Sequence, residues 1–560
     1  MIPRFQFAVT LALVLLLSST LAFAGLRVGS SNTAFADPTS VPHPNTHPCK
    51  VVLFENYRFT DYNPKSFSYT PPAGCPAPWA KVILVANFSV TKGIQYDRTA
   101  NIWIGPTNVY FGTTSEPDPN DSRNWQVERD LTDYSSIFTA AQSGAVDLFN
   151  VYNKTYNGIL HGSAAVYFYP VPAKQSPPVT ADQVIGFSAG PTGGTVALDT
   201  TGACCQPYLA ETLTLPTNIE RVYFDVFAQS QHDDEFWYTC VPNDVATELE
   251  SCGNTAFRES EVTIDSNPAG VAPVYPWIFT GGIDPYLWFP IPGVQTMNFV
   301  PYRVDLTPFA ATLDDGQPHT ISLSVFNAAD YFSATASLLL YLDHGSTQVT
   351  GALTGDTLTP PSPVITEDIH VDKNGDITGG VDTASTHNFQ ISGYVNTSTG
   401  TVTTTVAQNI DFSNQQKFNI TSSTYEQYIN QNTTIASTTT ITNSAGTYVN
   451  QSNSAWPMTM DILLLFNPDG SGTQTTTISQ NYNQNQQATL NGQTVSSSEL
   501  HNGVSPTDTL EFNSSGYITG NEDQSNAQTY YEYDSNGYCW NRTITAANNV
   551  LTSVTGGACQ

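Results

Sequence analysis

The chain has 560 residues and is strongly acidic, with 18 Lys and Arg against 48 Asp and Glu and a formal net charge of −30. A surface of this sign repels phosphate backbones and anionic membranes, so neither nucleic acid nor a lipid surface is expected as a partner. The length is enough for about three or four domains. Charged residues make up only 12% of the chain, which is typical of a secreted β-rich protein and not of a helical cytosolic one.

The amino terminus has the pattern of an export signal. Arg4 precedes an apolar run over residues 7–24, as in a Sec-type signal peptide. Two small-x-small cleavage motifs follow, Ala22–Ala24 and Ala34–Ala36, and we expect cleavage after the second, which makes residues 1–36 the signal. An uncleaved anchor is the alternative, because the run almost reaches spanning length. The prediction is a secreted protein, extracellular or periplasmic, with no membrane contact after cleavage.

The eight cysteines fall into three even groups along the chain. In an exported protein such groups are expected to form disulfides within domains, and no C-x-x-C pair indicates zinc. The pairing within the middle group is left open. The groups are Cys49 and Cys75; Cys204, Cys205, Cys240 and Cys252; Cys539 and Cys559.

Short β-forming segments separated by Pro, Gly and Asn clusters fill the first two thirds of the chain. This pattern is typical of sandwiches and jelly rolls. A similar phrase recurs late in each half, DLTDYSS from Asp130 and DLTPFAA from Asp305, which suggests two related domains. The fold predicted is all-β, with two adjacent jelly-roll or β-sandwich domains, residues 37–175 and 176–350, followed by an antiparallel β-rich domain, residues 351–560.

The predicted C-terminal domain is rich in Thr, Ser, Asn and Gln, and tight-turn signals interrupt it at intervals. Turns of this kind between alternating β-formers predict a series of antiparallel hairpins. Residues 372–376 also have part of a calcium-loop pattern, but the closing Glu is missing and a hairpin turn is the preferred interpretation. The turn signals are at residues 373–376, 468–470, 515–516 and 535–537.

Two stretches carry the candidate chemistry. Asp97 and Arg98 directly precede Asn101–Ile104, an alternating run that predicts a strand, so the charged pair should lie at a strand end. A plain Asp–Arg salt bridge is the alternative. Far downstream, residues 232–238 (HDDEFWY) combine three carboxylates with the aromatic residues Phe236, Trp237 and Tyr238. This second stretch could instead hold a metal, although the sequence offers no second ligand set for one.

Aromatic residues accompany the second acidic stretch. An aromatic ring beside an acceptor carboxylate is a natural platform for a sugar, because a pyranose ring presents a face of C–H groups. Burial of the same rings in the core is the alternative. The predicted substrate-binding residues are Asp234, Trp237, Tyr238, Tyr286 and Trp288.

Four ordered motifs resemble the peptide-N4-(N-acetyl-β-glucosaminyl)asparagine amidases of the plant, acidic type, the PNGase A family, which is related to PNGase F. The motifs are QYDRTANIWIG, HDDEFWYTC, AFRESEVTID and PWIFTGGIDPYLWFPI, spread between about residue 51 and residue 342. The resemblance implies two jelly rolls side by side with a glycan cleft between them. It implies no metal and no organic cofactor.

The resemblance assigns roles to individual residues. Asp97 matches the essential aspartate, Arg98 its neighbouring arginine, Glu235 the glutamate of the second domain, and Trp288 a tryptophan of the cleft wall. A further glutamate late in the first domain finds no match in residues 147–157, which leaves a third carboxylate in doubt.

The resulting hypothesis is an amidohydrolase that cleaves the bond between the proximal GlcNAc of an N-glycan and the Asn side chain. Its substrates would be N-glycosylated proteins or glycopeptides, its products a glycosylamine and Asp, and the enzyme a monomer. Two other functions stay open at this point. They are a secreted glycan-binding β-protein without turnover and an endo-β-N-acetylglucosaminidase.

Overall fold

A computed structural model describes residues 26–200, 202 and 205–559. The apolar run of the predicted signal and Cys204 therefore lie outside the described residues. Within the described residues, no helix is long and apolar enough to span a membrane.

The first eight strands form a two-layer sandwich, which confirms the jelly-roll prediction. One layer has the order β1-β8-β3-β6 and the other β2-β7-β4-β5. The strands are β1 Cys49–Phe59, β2 Lys65–Tyr69, β3 Trp79–Val90, β4 Thr99–Ile104, β5 Thr107–Thr113, β6 Arg123–Asp130, β7 Gln142–Leu148 and β8 Leu160–Pro170.

The next strands repeat the same topology. One layer has the order β10-β17-β12-β15, with β9 added beside β17, and the other has β11-β16-β13-β14. If β10–β17 are renumbered from one to eight, both orders match those of the first sandwich. The strands are β9 Gln183–Phe187, β10 Val196–Leu198, β11 Leu209–Thr214, β12 Ile219–Gln231, β13 Glu259–Ile264, β14 Asn267–Pro273, β15 Tyr302–Asp305, β16 Pro318–Phe326 and β17 Tyr331–Leu342.

The recurring DLT phrase falls at equivalent places in the two jelly rolls. Asp130 ends β6 and Asp305 ends β15, the sixth strand in each case, and a short 3₁₀ helix follows each. Each aspartate accepts a hydrogen bond from the backbone N–H two residues later, Thr132 or Thr307, at 3.0 Å. The prediction of two related domains is confirmed at this level of topology and local structure.

Among the described residues, helical structure is confined to short connecting segments. The α-helices are α1 Asn243–Ala246 and α2 Ala310–Leu313, and the 3₁₀ helices are Thr132–Phe138, His232–Asp234, Trp237–Thr239, Pro285–Trp288 and Thr307–Phe309.

The C-terminal part is one antiparallel sheet of 13 strands. All four predicted turns lie between consecutive strands, so the hairpin prediction is confirmed. Residues 372–376 form such a turn, in which Asp372 accepts the backbone N–H of Asn374 at 2.7 Å. The strands are β18 Thr350–Asp356, β19 Val364–Val371, β20 Ile377–Thr397, β21 Gly400–Thr421, β22 Thr424–Asn443, β23 Gly446–Ala455, β24 Met458–Phe466, β25 Gly472–Leu490, β26 Gln493–Val504, β27 Thr507–Phe512, β28 Ile518–Asp534, β29 Cys539–Ala547 and β30 Val550–Ala558.

One face of this long sheet packs on the second jelly roll. Side chains alternate between buried and exposed along β20, as expected when one face of a strand is covered. The buried face supplies Phe389, Phe412 and Trp456 to the same continuous core that fills the second sandwich. The C-terminal sheet and the second jelly roll therefore share a hydrophobic core.

The two jelly rolls are also joined directly. Leu339 and Tyr341 of β17 belong to the core of the first sandwich. Arg303 bridges the two units, because its Nε lies 2.7 Å from Oδ1 of Asp225 and its Nη1 lies 2.7 Å from Oδ2 of Asp133.

Three disulfides lie within the predicted cysteine groups. They join Cys49 to Cys75, Cys240 to Cys252 and Cys539 to Cys559, and Cys205 is also disulfide-bonded.

Candidate active site

Equivalent loops of the two jelly rolls meet at the candidate site. Asp97 lies in the connection between the third and fourth strands of the first jelly roll, and Glu235 lies in the same connection of the second. Glu116 and Gly281 both lie in the connection between the fifth and sixth strands of their respective units. The duplicated topology thus brings four polar segments to one place.

Asp97 directly precedes β4, as the sequence predicts. Its backbone N–H donates to Oε2 of Glu116 at 2.6 Å, and its carboxylate accepts backbone hydrogen bonds from Thr280 and Gly281 of the second jelly roll. Burial raises the pKa of Asp97 to about 6, although these hydrogen bonds and the charge of Arg98 oppose the rise.

Glu116 is the third carboxylate, and sequence reasoning missed it. The search for it was confined to residues 147–157, whereas Glu116 follows β5 and is only 8% exposed. Burial, and then the negative charge of Asp97, raise the pKa of Glu116 well above its usual range. The available signal was an isolated Glu just after a strand that pairs with β4.

Gly281 shows how closely the two carboxylates approach each other. A Cβ atom at this position would lie 2.7 Å from Oδ1 of Asp97 and 2.9 Å from Oε2 of Glu116. Both distances are below the 3.0 Å that Cβ atoms keep from their neighbours, so a side chain at this position would have to displace the carboxylates or the loop. Only glycine lets the backbone of the second jelly roll come near enough to donate to Asp97.

Glu235 faces the same site from the second jelly roll. Burial, and then the charge of Asp97, raise the pKa of Glu235 to about 7. Within the described part of the chain, its carboxylate accepts no hydrogen bond, so both oxygens are available to a ligand. The charge of Asp97 therefore acts on two neighbouring carboxylates, Glu116 of the same jelly roll and Glu235 of the other.

Arg98 does not form the salt bridge that the alternative interpretation required. Among the described residues, no carboxylate lies within ion-pair distance of its guanidinium, which instead donates from Nη2 to Oε1 of Gln95 at 2.7 Å. Gln95 is 4% exposed and its own Nε2 donates to the carbonyl of Val151 at 2.6 Å. Arg98 is thus held beside Asp97 by an amide and affects it by charge at a distance.

The HDDE segment divides between core and cleft. Asp234 is 0% exposed, pairs with Nε of Arg258 at 2.9 Å and accepts the N–H groups of Ala329 and Asp330. Its hydrogen bonds fix the loop, and in this structure Asp234 offers no exposed surface for the predicted contact with substrate. His232 and Asp233 are exposed beside Asp330.

Most of the predicted sugar-stacking rings are also core residues. Trp237, Tyr238 and Trp288 are 1%, 0% and 2% exposed, so their faces cannot contact a sugar in this structure. Trp237 packs on Phe412 of the C-terminal sheet, and Trp288 donates from Nε1 to the carbonyl of Gly282 at 3.0 Å. Their role as direct sugar contacts is corrected to support of the site loops.

Other aromatic side chains remain accessible near the site. Tyr286 lies in the connection that carries Gly281 and is half-buried, and its contact with substrate stays a prediction. Tyr96 precedes Asp97, is 54% exposed, and has its ring centroid 5.4 Å from that of Tyr156. Their exposed rings could contact a sugar or peptide.

Known proteins resemble this chain in sequence and in fold. The family described as peptide N-acetyl-beta-D-glucosaminyl asparaginase amidase A matches residues 38–357. The peptide-N4-(N-acetyl-beta-glucosaminyl)asparagine amidase A of Prunus dulcis is 27% identical over 547 residues, which cover 94% of this chain and 93% of that protein.

Two solved structures are also similar. Recombinant peptide: N-glycanase F (PNGase F) matches 53% of this chain and 96% of its own at 12% identity, with a TM-score of 0.36. PNGF-II matches 53% of this chain and 66% of its own at 11% identity, with a TM-score of 0.37. The family match covers more than half of the chain, and the chain therefore belongs to the PNGase A family of peptide-N4-(N-acetyl-β-glucosaminyl)asparagine amidases.

Proposed function

We propose that Asp97, Glu116 and Glu235 carry the amidase reaction on N-glycosylated proteins and glycopeptides. The observation that supports this assignment is that Asp97 and Glu116 of the first jelly roll meet at Gly281, while Glu235 of the second lies close enough to feel the charge of Asp97. Perturbed titratable groups that gather in a cleft are typical of acid–base sites.

Asp97 is the base in this proposal. As its carboxylate takes a proton from water, the water oxygen bonds to the carbon of the Asn side-chain amide. Asp97 suits this role because two backbone N–H groups and the charge of Arg98 favour its ionised form, whereas Glu235 has no such partners among the described residues and both burial and the charge of Asp97 favour its protonated form. Arg98 stabilises the ionised form by its charge.

Glu235 is the acid. When the tetrahedral intermediate collapses, the carbon–nitrogen bond breaks and Glu235 gives its proton to the departing nitrogen, which leaves as the GlcNAc amine. The former Asn becomes Asp. Exchange with solvent then takes the proton from Asp97 and returns one to Glu235. Glu116 accepts the backbone N–H of Asp97 and so holds that residue in place.

The products distinguish this function from the alternatives. A glycopeptide digested in ¹⁸O water should yield a peptide whose Asn has become ¹⁸O-labelled Asp, together with the released glycan. An endoglycosidase would leave GlcNAc on Asn, and a lectin would leave the glycopeptide intact. Either of those mass spectra would overturn the proposal.

Asp97→Asn tests the site itself. The substitution keeps the volume of the side chain but removes the charge that accepts a proton, so turnover should fall by roughly 10²–10⁴. Asp147→Asn is the matched control, because Asp147 is also buried, has a pKa raised to about 6 by burial, and is bound by Trp103 away from the site. Near-normal turnover of folded Asp97→Asn, or equal loss in both variants, would contradict the assignment.

Secretion and a monomeric state remain part of the proposal. The disulfides support an oxidising compartment outside the cytoplasm. Detection of the protein in the culture medium, and its mass in solution, would test these two points.

A further inference from the structure

The C-terminal sheet contacts the backbone of the loop that carries Glu235. We call residues 232–241 the Glu235 loop. Three consecutive carbonyl oxygens of this loop accept hydrogen bonds from amide side chains of β21 and β22. Asn414 donates to Tyr238 at 2.9 Å, Gln427 to Thr239 at 3.0 Å and Gln416 to Cys240 at 2.9 Å.

The same sheet holds the loop that faces Asp97. We call residues 274–294, between β14 and β15, the Gly281 loop. Amides of β25 and β28 bind it along its length. Gln480 donates to the carbonyl of Pro276 at 2.6 Å and accepts from the N–H of Val294 at 2.9 Å; Gln524 donates to Phe289 at 2.9 Å; Asn526 donates to Leu287 at 3.0 Å and Ile291 at 2.9 Å.

These six amide side chains form two rows, one beside each loop, and none belongs to the solvent-exposed surface. Each of the six is between 0% and 3% exposed. In the first row the amides also bind one another, since Gln427 donates to Gln416 at 2.8 Å and Gln416 donates to Asn414 at 3.0 Å. A buried network of this kind allows few alternative arrangements, because a broken bond leaves an unpaired polar group in the core.

Apart from three short 3₁₀ helices, both loops are irregular, so many of their carbonyl groups need partners outside the loop. Buried backbone groups outside a helix or sheet require partners from elsewhere. The C-terminal sheet supplies them at seven carbonyls, three in the Glu235 loop and four in the Gly281 loop. The Glu235 loop brings the proposed acid, and the Gly281 loop brings the two N–H groups that bind Asp97.

We infer that the C-terminal sheet is a positioning element of the amidase site, with Asn414, Gln416 and Gln427 placing the Glu235 loop and Gln480, Gln524 and Asn526 placing the Gly281 loop. This inference rests on the roles proposed for Asp97 and Glu235. The sheet acts through backbone carbonyls and does not touch the reacting atoms. Its contribution should therefore appear in the rate of the chemical step and hardly in substrate affinity.

The test uses one positioning residue from each row, Gln427→Met and Gln524→Met, in the full chain. Methionine keeps nearly the same volume and removes the donor. We expect kcat on a glycopeptide to fall by roughly 10- to 100-fold, since a displacement of about 1 Å at a catalytic group can cost this much. KM should change by less than about 3-fold. The pH dependence of kcat should shift for Gln427→Met, because the surroundings of Glu235 change.

Gln408→Met is the matched control. Gln408 lies on the same buried face of β21 and is 8% exposed, but its amide reaches Ser437 at 3.3 Å and neither loop. It should lower the melting temperature as the other variants do and leave kcat unchanged. If the methionine variants do not fold, Gln427→Asn and Gln524→Asn, which withdraw the amide by one methylene, carry the same expectation.

The outcomes separate this inference from the proposed function. An inactive wild-type enzyme would refute the proposed function. An active wild type with unchanged kcat and pH profile in folded Gln427 and Gln524 variants would overturn the positioning role alone. Equal loss of kcat in Gln408→Met would also overturn it, because general destabilisation would then explain the effect.

Discussion

Carboxylates that feel one another's charge cannot all be ionised at little cost, and at this site burial raises the pKa of each of the three. Asp97 has a pKa of about 6 and Glu235 of about 7, and the pKa of Glu116 is raised well above its usual value. Between the pKa values of Asp97 and Glu235, the first is ionised while the second holds a proton. A base and an acid are available together in that state.

The pH dependence of turnover follows from this order. Activity should rise as Asp97 ionises and fall as Glu235 loses its proton, which gives a maximum between about pH 6 and pH 7. Glu235→Gln should lower turnover and flatten the alkaline side of the profile while leaving the acidic side. The measurement is kcat against pH for both proteins. A wild-type profile that rises steadily into alkaline pH would contradict the acid role of Glu235.

The ionised carboxylate of Glu235 should also destabilise the folded protein at and above neutral pH. Because its pKa is raised from 4.5 to about 7 in the folded chain, the folded state binds the proton more tightly. The contribution of Glu235 to the free energy of unfolding is therefore greatest below about pH 4.5, decreases as the pH rises to about 7, and is constant above that. Glu235→Gln should raise the melting temperature by a few degrees at pH 8 and by nothing at pH 4. A lower melting temperature at pH 8 would show that the carboxylate stabilises the fold.

At the scale of single elements, the connecting loops determine the site. Gly281→Ala should lower turnover by about 100-fold, because the new methyl group must displace Asp97 and Glu116 or withdraw the N–H that binds Asp97. Gly190→Ala is the control, since a Cβ there has no neighbour within 4 Å. The measurements are the melting temperature, kcat and KM of both variants. Wild-type kcat in Gly281→Ala would show that the close approach is not required.

The sequence predicted the strands and turns better than the arrangement of residues in these loops. Strand β4, the four turns of the C-terminal sheet and the charged pair before β4 follow from alternation and turn chemistry, which are local properties. Trp237, Tyr238 and Trp288 have the composition of a sugar platform, but burial against the C-terminal sheet is a tertiary property. Glu116 was missed for the same reason, since only strand pairing brings it to Asp97.

At the scale of the whole molecule, the duplicated jelly roll explains how the site forms. A strand order shared by the two units places their third-to-fourth and fifth-to-sixth connections at corresponding ends. The DLT phrase at Asp130 and Asp305 is a sequence trace of this repetition. The long C-terminal sheet then covers the second unit and completes its core. Its amide-rich composition indicated β structure, but the binding of loop carbonyls could not be inferred without the packing.

The segment from Leu26 to Ala36 is also part of this assembly, although the sequence analysis assigned it to the signal. Gly29 and Ser30 exchange backbone hydrogen bonds with Leu551, Ala34 donates to the carbonyl of Pro290, and Ala36 binds Gln528 and Trp540. Ala34 and Ala36 are 2% and 0% exposed. Cleavage after Ala36 would remove all of these contacts, so we propose the upstream motif, Ala22–Ala24, as the cleavage site.

Two chains test this proposal, one beginning at Gly25 and one at Asp37. Each lost hydrogen bond is worth about 0.5–1.5 kcal/mol, so the shorter chain should be less stable by roughly 2 kcal/mol or more. Its melting temperature should be lower, and turnover should fall as well, because Pro290 belongs to the Gly281 loop. Amino-terminal sequencing of the exported protein should find a start upstream of Leu26. A start at Asp37, with equal melting temperatures for the two chains, would restore the downstream cleavage site.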